Sequence, residues 1–173
     1  KSKYIEPDPA DSTGLPDLPD TWRWVTLEDL TDPVRVIRYG ILKPGPEYAG
    51  GVKYVKVKHM KGEVIDVSDL PHTSPEIHGK YKGATLRRGD LLLSIRGSFG
   101  GAAIVPDEID GANITQDSAR IAPLPGIDRD YLAGVLRSPD VQTYFKRIAK
   151  GVAVRGINIR DIRPTAIPLP PEG

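Results

Sequence analysis

The chain of 173 residues contains no cysteine. A disulfide framework and a zinc site built from cysteine are therefore excluded. It also lacks any run of about 18 apolar residues, which a transmembrane helix requires. Residues 1–20 have neither the basic start nor the apolar core of a signal peptide. These absences predict a cytoplasmic protein without a membrane partner.

Catalytic motifs are also scarce. Neither Gly-x-Ser-x-Gly nor Ser-x-x-Lys occurs, and His59, His72 and His78 lack the spacing of metal-binding histidines. We therefore expect no catalytic residue, no metal and no cofactor. A metal-dependent nuclease built on Asp107 and Asp117 stays open as an alternative, because nearby carboxylates can hold a divalent cation.

The net charge of +1 conceals an uneven distribution. Residues 1–33 contain three basic and eight acidic residues, whereas the remaining 140 contain 21 basic and 15 acidic ones. Basic residues are concentrated within 53–61 and 137–163. Such clustering is typical of a surface that faces phosphates, although it also fits the solvated face of any protein.

The order of patterns along the chain predicts an α+β fold. Residues 1–17 form an acidic, proline-rich leader, residues 18–171 form a single domain, and residues 172–173 begin a further segment. Alternating apolar residues predict a mostly antiparallel sheet with hairpins, and residues 61–85 are expected to form a long irregular connection. Two or three short helices follow toward the C-terminus, two of them capped by Asp128 and Ser138. The predicted strands are 22–27, 52–57, 90–95, 102–105, 118–122 and 165–169.

The stretch DLLLSIRGSFGGAAIV, residues 90–105, joins two apolar runs through a glycine-rich turn. A phosphate-binding loop would require a helix after the glycines, because free N–H groups at a helix start hold the anion. A second strand is predicted here instead. The stretch is therefore a hairpin that presents Arg96 and Ser98 at its tip.

Four sequence blocks, in order, resemble the target recognition domain of the specificity (HsdS) subunit of type I restriction-modification systems. LPDTWRWVTL at 18–27 is similar to the opening motif, and GDLLLSIRGSFG with AIV at 89–105 is similar to the family hairpin. NITQDSARI at 113–121 and INIRDI through IPLPP at 157–171 resemble the last two blocks.

The resemblance implies a non-catalytic module that reads double-stranded DNA and directs a methyltransferase and endonuclease complex to its site. It also implies docking to the DNA methyltransferase (modification) subunit and to the restriction subunit. The alternative is a protein-interaction module that docks an enzyme subunit without reading DNA. DNA affinity that falls steeply with salt would separate the two functions.

Candidate DNA contacts follow from side-chain chemistry. Arginine can bond guanine O6 and N7, and the amides of asparagine and glutamine suit adenine. Lysine and arginine on flanking elements are expected to meet phosphates, which position a protein without specifying sequence. The base-contact candidates are Arg96, Ser98, Asn113, Gln116, Arg155 and Asn158. The phosphate candidates are Lys53, Lys56, Lys58, Lys146, Arg147, Lys150 and Arg160. Tyr39 and Lys43, in the loop after Arg38, are further candidate DNA contacts.

Overall fold

The computed structural model describes residues 10–151 and 155–171, and within them the predicted α+β class is confirmed. The α-helices are α1 (Pro75–Lys80), α2 (Arg129–Arg137), α3 (Pro139–Ile148) and α4 (Ile159–Ile162). The strands are β1 (Arg23–Thr26), β2 (Arg38–Tyr39), β3 (Val52–Val55), β4 (Met60–Lys61), β5 (Val64–Ile65), β6 (His72–Thr73), β7 (Leu91–Ser94), β8 (Ala102–Ile104), β9 (Asn113–Ile114), β10 (Ser118–Ile121) and β11 (Ala166–Leu169). Among the described α-helices, α1 alone lies outside the C-terminal half.

A four-stranded antiparallel sheet of order β2-β10-β7-β8 forms the centre of the fold. Its strands β7 and β10 are buried at every residue, as expected for a sheet covered on both faces. Side chains alternate across it, so that Leu91 and Leu93 enter one core and Leu92 enters the other. The predicted hairpin is confirmed, since the strand β8 follows its glycines.

Helices α2 and α3 cover one face of this sheet. Apolar side chains at helical spacing, among them Leu136 and Phe145, are buried against it. Asp128 and Ser138 each accept a hydrogen bond from the main-chain N–H three residues later, at 2.8 and 3.5 Å. Both predicted N-caps are therefore confirmed.

Short strands cover the opposite face, where Val55 and Ile114 join Leu92 in a second core. The sheet β6-β3-β9 contains a parallel pair, β3 with β9, beside the hairpin β4-β5. The prediction of an irregular connection over 61–85 was wrong, because β5, β6 and α1 lie within it. Ser74 caps α1 and Pro75 is its first residue, which is the same signal that marked α3.

The predicted strand 52–57 ends early, at Val55. Residues Val57–His59 form a 3-10 turn that follows Lys56. The Lys56 N–H donates to His59 Nδ1 at 3.0 Å across this turn. Lys56 and Lys58 therefore do not share the face of one strand, contrary to the alternation that predicted it.

Strands β1 and β11 pair antiparallel, which places Arg23 beside Leu169. Leu27 and Ile167 are fully buried where this pair meets the helices. Trp22 contacts the Tyr131 ring edge-to-face, with centroids 6.4 Å apart, which is the packing contribution expected of a large aromatic. No helix in the described residues is long and apolar enough to cross a membrane.

Candidate nucleic-acid interface

Several strand ends meet at one edge of the molecule. The Ile95 N–H, just after β7, donates to the Asp117 carbonyl at 2.8 Å, just before β10. The parallel strands β3 and β9 end at the same place, where the Thr115 N–H donates to the Val55 carbonyl at 3.1 Å. The connections that follow these strands are consequently held side by side by main-chain hydrogen bonds.

We call this edge the four-loop surface and define it as residues 39–43, 96–101, 115–117, and 150–151 with 155–158. The Gln116 N–H donates to the Ile41 carbonyl at 3.0 Å, which joins the first loop to the third. The Gly97 N–H donates to the Arg155 carbonyl at 3.1 Å, which joins the second to the fourth. Residues distant in sequence thus form one continuous surface.

The hairpin tip within this surface is held by hydrogen bonds to the Ser94 side chain. The Ser94 hydroxyl donates to the Ser98 carbonyl and accepts from the Gly101 N–H, both at 2.8 Å. Gly97 has φ of +72°, a region that favours glycine, and no atom lies where its Cβ would stand. The backbone at the tip is therefore open to a partner, and Ser98 is exposed.

Arg96 projects from this tip with half of its side chain exposed. Its Nη1 lies 3.8 Å from a carboxylate oxygen of Asp117, whose own side chain is 42% exposed. A solvent-exposed pair at this separation contributes little to stability. The guanidinium is thus oriented by Asp117 but retains donors for another partner.

Arg155 occupies a different position from the one expected for a base contact. Its Nη2 donates to the carbonyl of Lys146 at 2.9 Å, and its guanidinium lies 5.9 Å from the centre of the Phe99 ring. Positive charge at the carbonyl end of a helix is favourable. Arg155 therefore anchors the fourth loop between α3 and the hairpin tip. Residues 152–154 of this loop lie outside the described residues.

The charge of the four-loop surface is predominantly positive. Its described residues contain the cations Lys43, Arg96, Lys150 and Arg155 against the single carboxylate of Asp117. A surface of this sign attracts a polyanion.

Further predicted phosphate contacts flank the surface. Lys150 was predicted within the last turn of α3, but that helix ends at Ile148, and Lys150 pairs with Gly156 as an isolated bridge. Lys146 and Arg147 are exposed on the last turn of α3. Asn158 and Arg160 are exposed at the start of α4, and both contact Asp161.

Lys56 and Lys58 lie on the other flank, just beyond the end of β3. The Lys56 Nζ is 5.4 Å from the centre of the Tyr54 ring, a cation–π distance. Lys58 is exposed. The hydrogen bond between Thr115 and Val55 places the residue that precedes Lys56 beside the third loop.

Two predicted contacts do not fit this surface. Asn113 is fully buried: its Nδ2 donates to the Tyr81 carbonyl at 3.2 Å and lies 3.1 Å from His78 Nδ1, while its Oδ1 accepts from the Ile114 N–H. Its amide is occupied within the fold, so it has no free donor for a base. Gln116, three residues later, is only half-buried.

Lys53 is the second exception. It lies at the start of β3 and borders a shallow cleft with Glu108 and Asp110. Neighbouring carboxylates would repel a phosphate there. Lys53 lies at the start of β3, whereas the four-loop surface adjoins the end of that strand. It therefore faces Glu108 and Asp110 and not the four-loop surface.

The described residues contain no cluster of three or more His, Asp or Glu side chains able to hold a metal. Asp107 follows β8, and its carboxylate lies 3.3 Å from Nη1 of Arg88. This ion pair is near the start of β7, which is antiparallel to β8. Asp117 lies at the opposite end of β7. The two carboxylates of the nuclease alternative are consequently not brought together.

Two features of the site were missed by the sequence patterns. Leu42 is 46% exposed within the first loop, but a single leucine between Ile41 and Lys43 gives no periodic signal of its orientation. His59 is buried, and burial, reinforced by the nearby charges of Lys58 and Lys56, lowers its pKa below the usual value. Neither environment can be inferred without the tertiary contacts.

The chain is similar to known proteins in sequence and in overall fold. No family model matches the chain. Over 154 residues, 88% of its length, the chain is 30% identical to the type I restriction enzyme EcoBI specificity subunit of Escherichia coli, and it spans 32% of that protein.

Solved structures share the fold. The crystal structure of the HsdS subunit from Thermoanaerobacter tengcongensis has a TM-score of 0.66 and 23% identity, covering 91% of this chain and 35% of that one. A chain from a structure on complex assembly and conformational transition of the type I R-M system has a TM-score of 0.67 and 21% identity, covering 91% of this chain and 36% of that one. The type I S subunit from M. genitalium has a TM-score of 0.56 and 17% identity, covering 89% and 36%.

The chain is thus related to proteins of type I restriction-modification systems. Among these it is homologous to the specificity subunit, HsdS, and it spans about a third of the length of the relatives it matches.

Proposed function

We propose that residues 18–171 are a single target recognition domain that reads one part of a double-stranded DNA target for a type I restriction-modification system. The domain catalyses no reaction and binds no cofactor itself. It brings a methyltransferase and endonuclease complex to the DNA. The pairing of β1 with β11 supports these limits, because it closes the fold near both of its ends. The leader predicted at 1–17 and the short segment 172–173 lie largely or wholly outside the described residues.

The four-loop surface is the observation that carries this proposal. Loops from distant parts of the chain are fixed side by side by main-chain hydrogen bonds of 2.8 to 3.1 Å. Their described residues present four cations against one carboxylate. A positively charged edge held by main-chain hydrogen bonds is suited to approach a groove while flanking lysines neutralise phosphates.

The proposed contacts divide by chemistry. Arg96 donates to guanine O6 and N7, Gln116 bonds adenine, and Ser98 and Asn158 complete the polar readout. Arg155 positions the fourth loop, whereas Asn113 and Lys53 are omitted because of their burial and acidic surroundings. Phosphates are met by Lys56, Lys58, Lys146, Arg147, Lys150 and Arg160.

The partners follow from the relatives. The similar proteins are named as subunits of restriction enzymes, and one similar structure concerns assembly of the type I R-M complex. We propose that the protein of this chain docks a DNA methyltransferase subunit and a restriction subunit, and that it works in the cytoplasm, where its DNA is found.

Selection from a randomised duplex library at low salt, with the full chain, tests this function. We expect enrichment of a short motif and an affinity that falls steeply with salt. Lys150→Ala should weaken all sequences alike and reduce the logarithmic salt slope by about 1. Lys82→Ala, a change of an exposed lysine outside the four-loop surface, is the matched control and should alter neither quantity.

Retention of duplexes without enrichment would contradict sequence readout. Failure to retain any duplex would overturn DNA binding by this chain and favour the protein-interaction alternative.

A further inference from the structure

The first loop of the four-loop surface displays apolar side chains in a basic setting. Leu42 is 46% exposed and Tyr39 45% exposed, and Lys43 and Arg96 belong to the same surface. A large exposed apolar residue is unremarkable in isolation. Its position within a cationic surface restricts the partner, because the partner must be both negatively charged and locally apolar.

Buried anchors on both sides hold this loop rigidly. Ile41 is fully buried, and its N–H donates to the Ile114 carbonyl at 2.7 Å. Gly40 fits so closely that a Cβ there would lie 2.0 Å from the Ile114 carbonyl oxygen. The Pro44 carbonyl accepts from the buried Thr73 hydroxyl at 2.7 Å. Leu42 is therefore presented from a fixed backbone, which avoids an entropy cost on binding.

Gln116 is attached to the same backbone. Its N–H donates to the Ile41 carbonyl at 3.0 Å, so its main chain lies next to the residue that precedes Leu42. In the major groove a glutamine bonds adenine N6 and N7, and an aliphatic side chain contacts the thymine C5-methyl group. One A·T pair, or two neighbouring pairs, offers both features.

We propose that Leu42 is a specificity-determining residue that reads a thymine methyl group beside the adenine bonded by Gln116. This inference rests on the proposed function and makes it more specific. The four-loop surface then divides its readout, with guanine contacted by Arg96 and an A·T step contacted by the first and third loops.

Base analogues test the inference with the full chain and its selected duplex. Each thymine in turn is replaced by deoxyuridine, which removes only the C5-methyl group. We expect one replacement to weaken the native chain about fourfold, as for loss of one buried methylene-sized contact. In Leu42→Ala that replacement should have no effect. Val34→Ala, a change of an apolar residue that is 89% exposed outside the surface, should retain the full response.

A second substitution locates the adenine. Gln116→Ala should lose the preference at the same or the adjacent base pair, and 7-deazaadenine at that position should weaken the native chain but not the variant. Thermal melting followed by circular dichroism checks that each variant folds. Because Leu42 is exposed, Leu42→Ala should leave the fold intact.

The outcomes separate the two proposals. An enriched motif without an A·T pair, or a deoxyuridine response that persists in Leu42→Ala, would overturn the role of Leu42 and leave DNA recognition in place. Absence of any enriched motif would overturn the proposed function, and the inference would fail with it.

Discussion

The two ends of strand β7 place arginines in opposite environments. Near Asp90, Arg35 forms two hydrogen bonds to the carboxylate at 2.7 and 2.6 Å, and Arg120 is 1% exposed. Arg120 donates to the carbonyls of Arg35 and Gly83, and burial lowers its pKa to about 10. Beyond the other end, Arg96 has only the loose pairing with Asp117 at 3.8 Å.

Residue type alone therefore does not reveal the role of an arginine. Arginines with all of their strong partners inside the fold join layers of structure, since a buried charge must be bonded to persist. An arginine with exposed donors and one weak partner is available to a ligand. Exposed donors with one weak partner, rather than residue type, therefore make Arg96 the candidate for a ligand contact.

The greatest loss of stability is expected when the ion pair between Arg35 and Asp90 is removed. Asp90→Ala removes the carboxylate that pairs with Arg35 and accepts the Arg87 N–H at 2.8 Å. Loss of one partner from a buried pair costs about 3–5 kcal/mol, and urea unfolding measures it. Asp117→Ala makes the same change at the exposed end and should alter stability by less than about 1 kcal/mol. Equal losses would contradict the distinction between the two ends.

A smaller effect is expected at Gly40, which seats the first loop against Ile114. Gly40→Ala introduces a Cβ within 2.0 Å of a main-chain oxygen, and the backbone must move. Overpacking of this kind costs about 1–3 kcal/mol, measurable by thermal unfolding. Gly79→Ala, in α1 with no atom within 4 Å of the added carbon, is the control and should not destabilise. A neutral Gly40 variant would show that the loop is not held as tightly as its contacts indicate.

Local signals explain which parts of the fold could be predicted. The sequence predicted the helix caps at Asp128 and Ser138 and the hairpin at 90–105. Each of these features depends on residues close together in the chain, so a local sequence pattern is sufficient to predict it. The parallel pairing of β3 with β9 joins residues about 60 positions apart, and no local pattern encodes it. For the same reason Asn113 and Gln116 could not be distinguished, because the burial of Asn113 follows from its pairing with Tyr54 of β3.

The role of Arg96, beyond the exposed end of β7, is tested by DNA binding. Arg96→Ala should relax the preference at one base pair by about 1–3 kcal/mol and leave unfolding within about 0.5 kcal/mol of the native chain. Arg88→Ala removes another exposed arginine, paired with Asp107 at the opposite end of β7, and should change neither property. Fluorescence anisotropy with duplexes altered at single positions measures the effect. A uniform loss for all sequences would assign Arg96 to a phosphate instead.

The smallest effect concerns the turn that carries Lys56 and Lys58. His59 accepts the Lys56 N–H through Nδ1 at 3.0 Å, which requires an unprotonated nitrogen. Because burial lowers its pKa in the folded state, the unfolded chain takes up a proton first as pH falls below about 6.5. The contribution of His59 is therefore complete above that pH and declines below it. Urea unfolding at pH 7.5 and 5.5 should show a smaller pH dependence in His59→Gln than in the native chain. An unchanged pH dependence would mean that His59 titrates alike in both states, and the turn would then hold its lysines independently of pH.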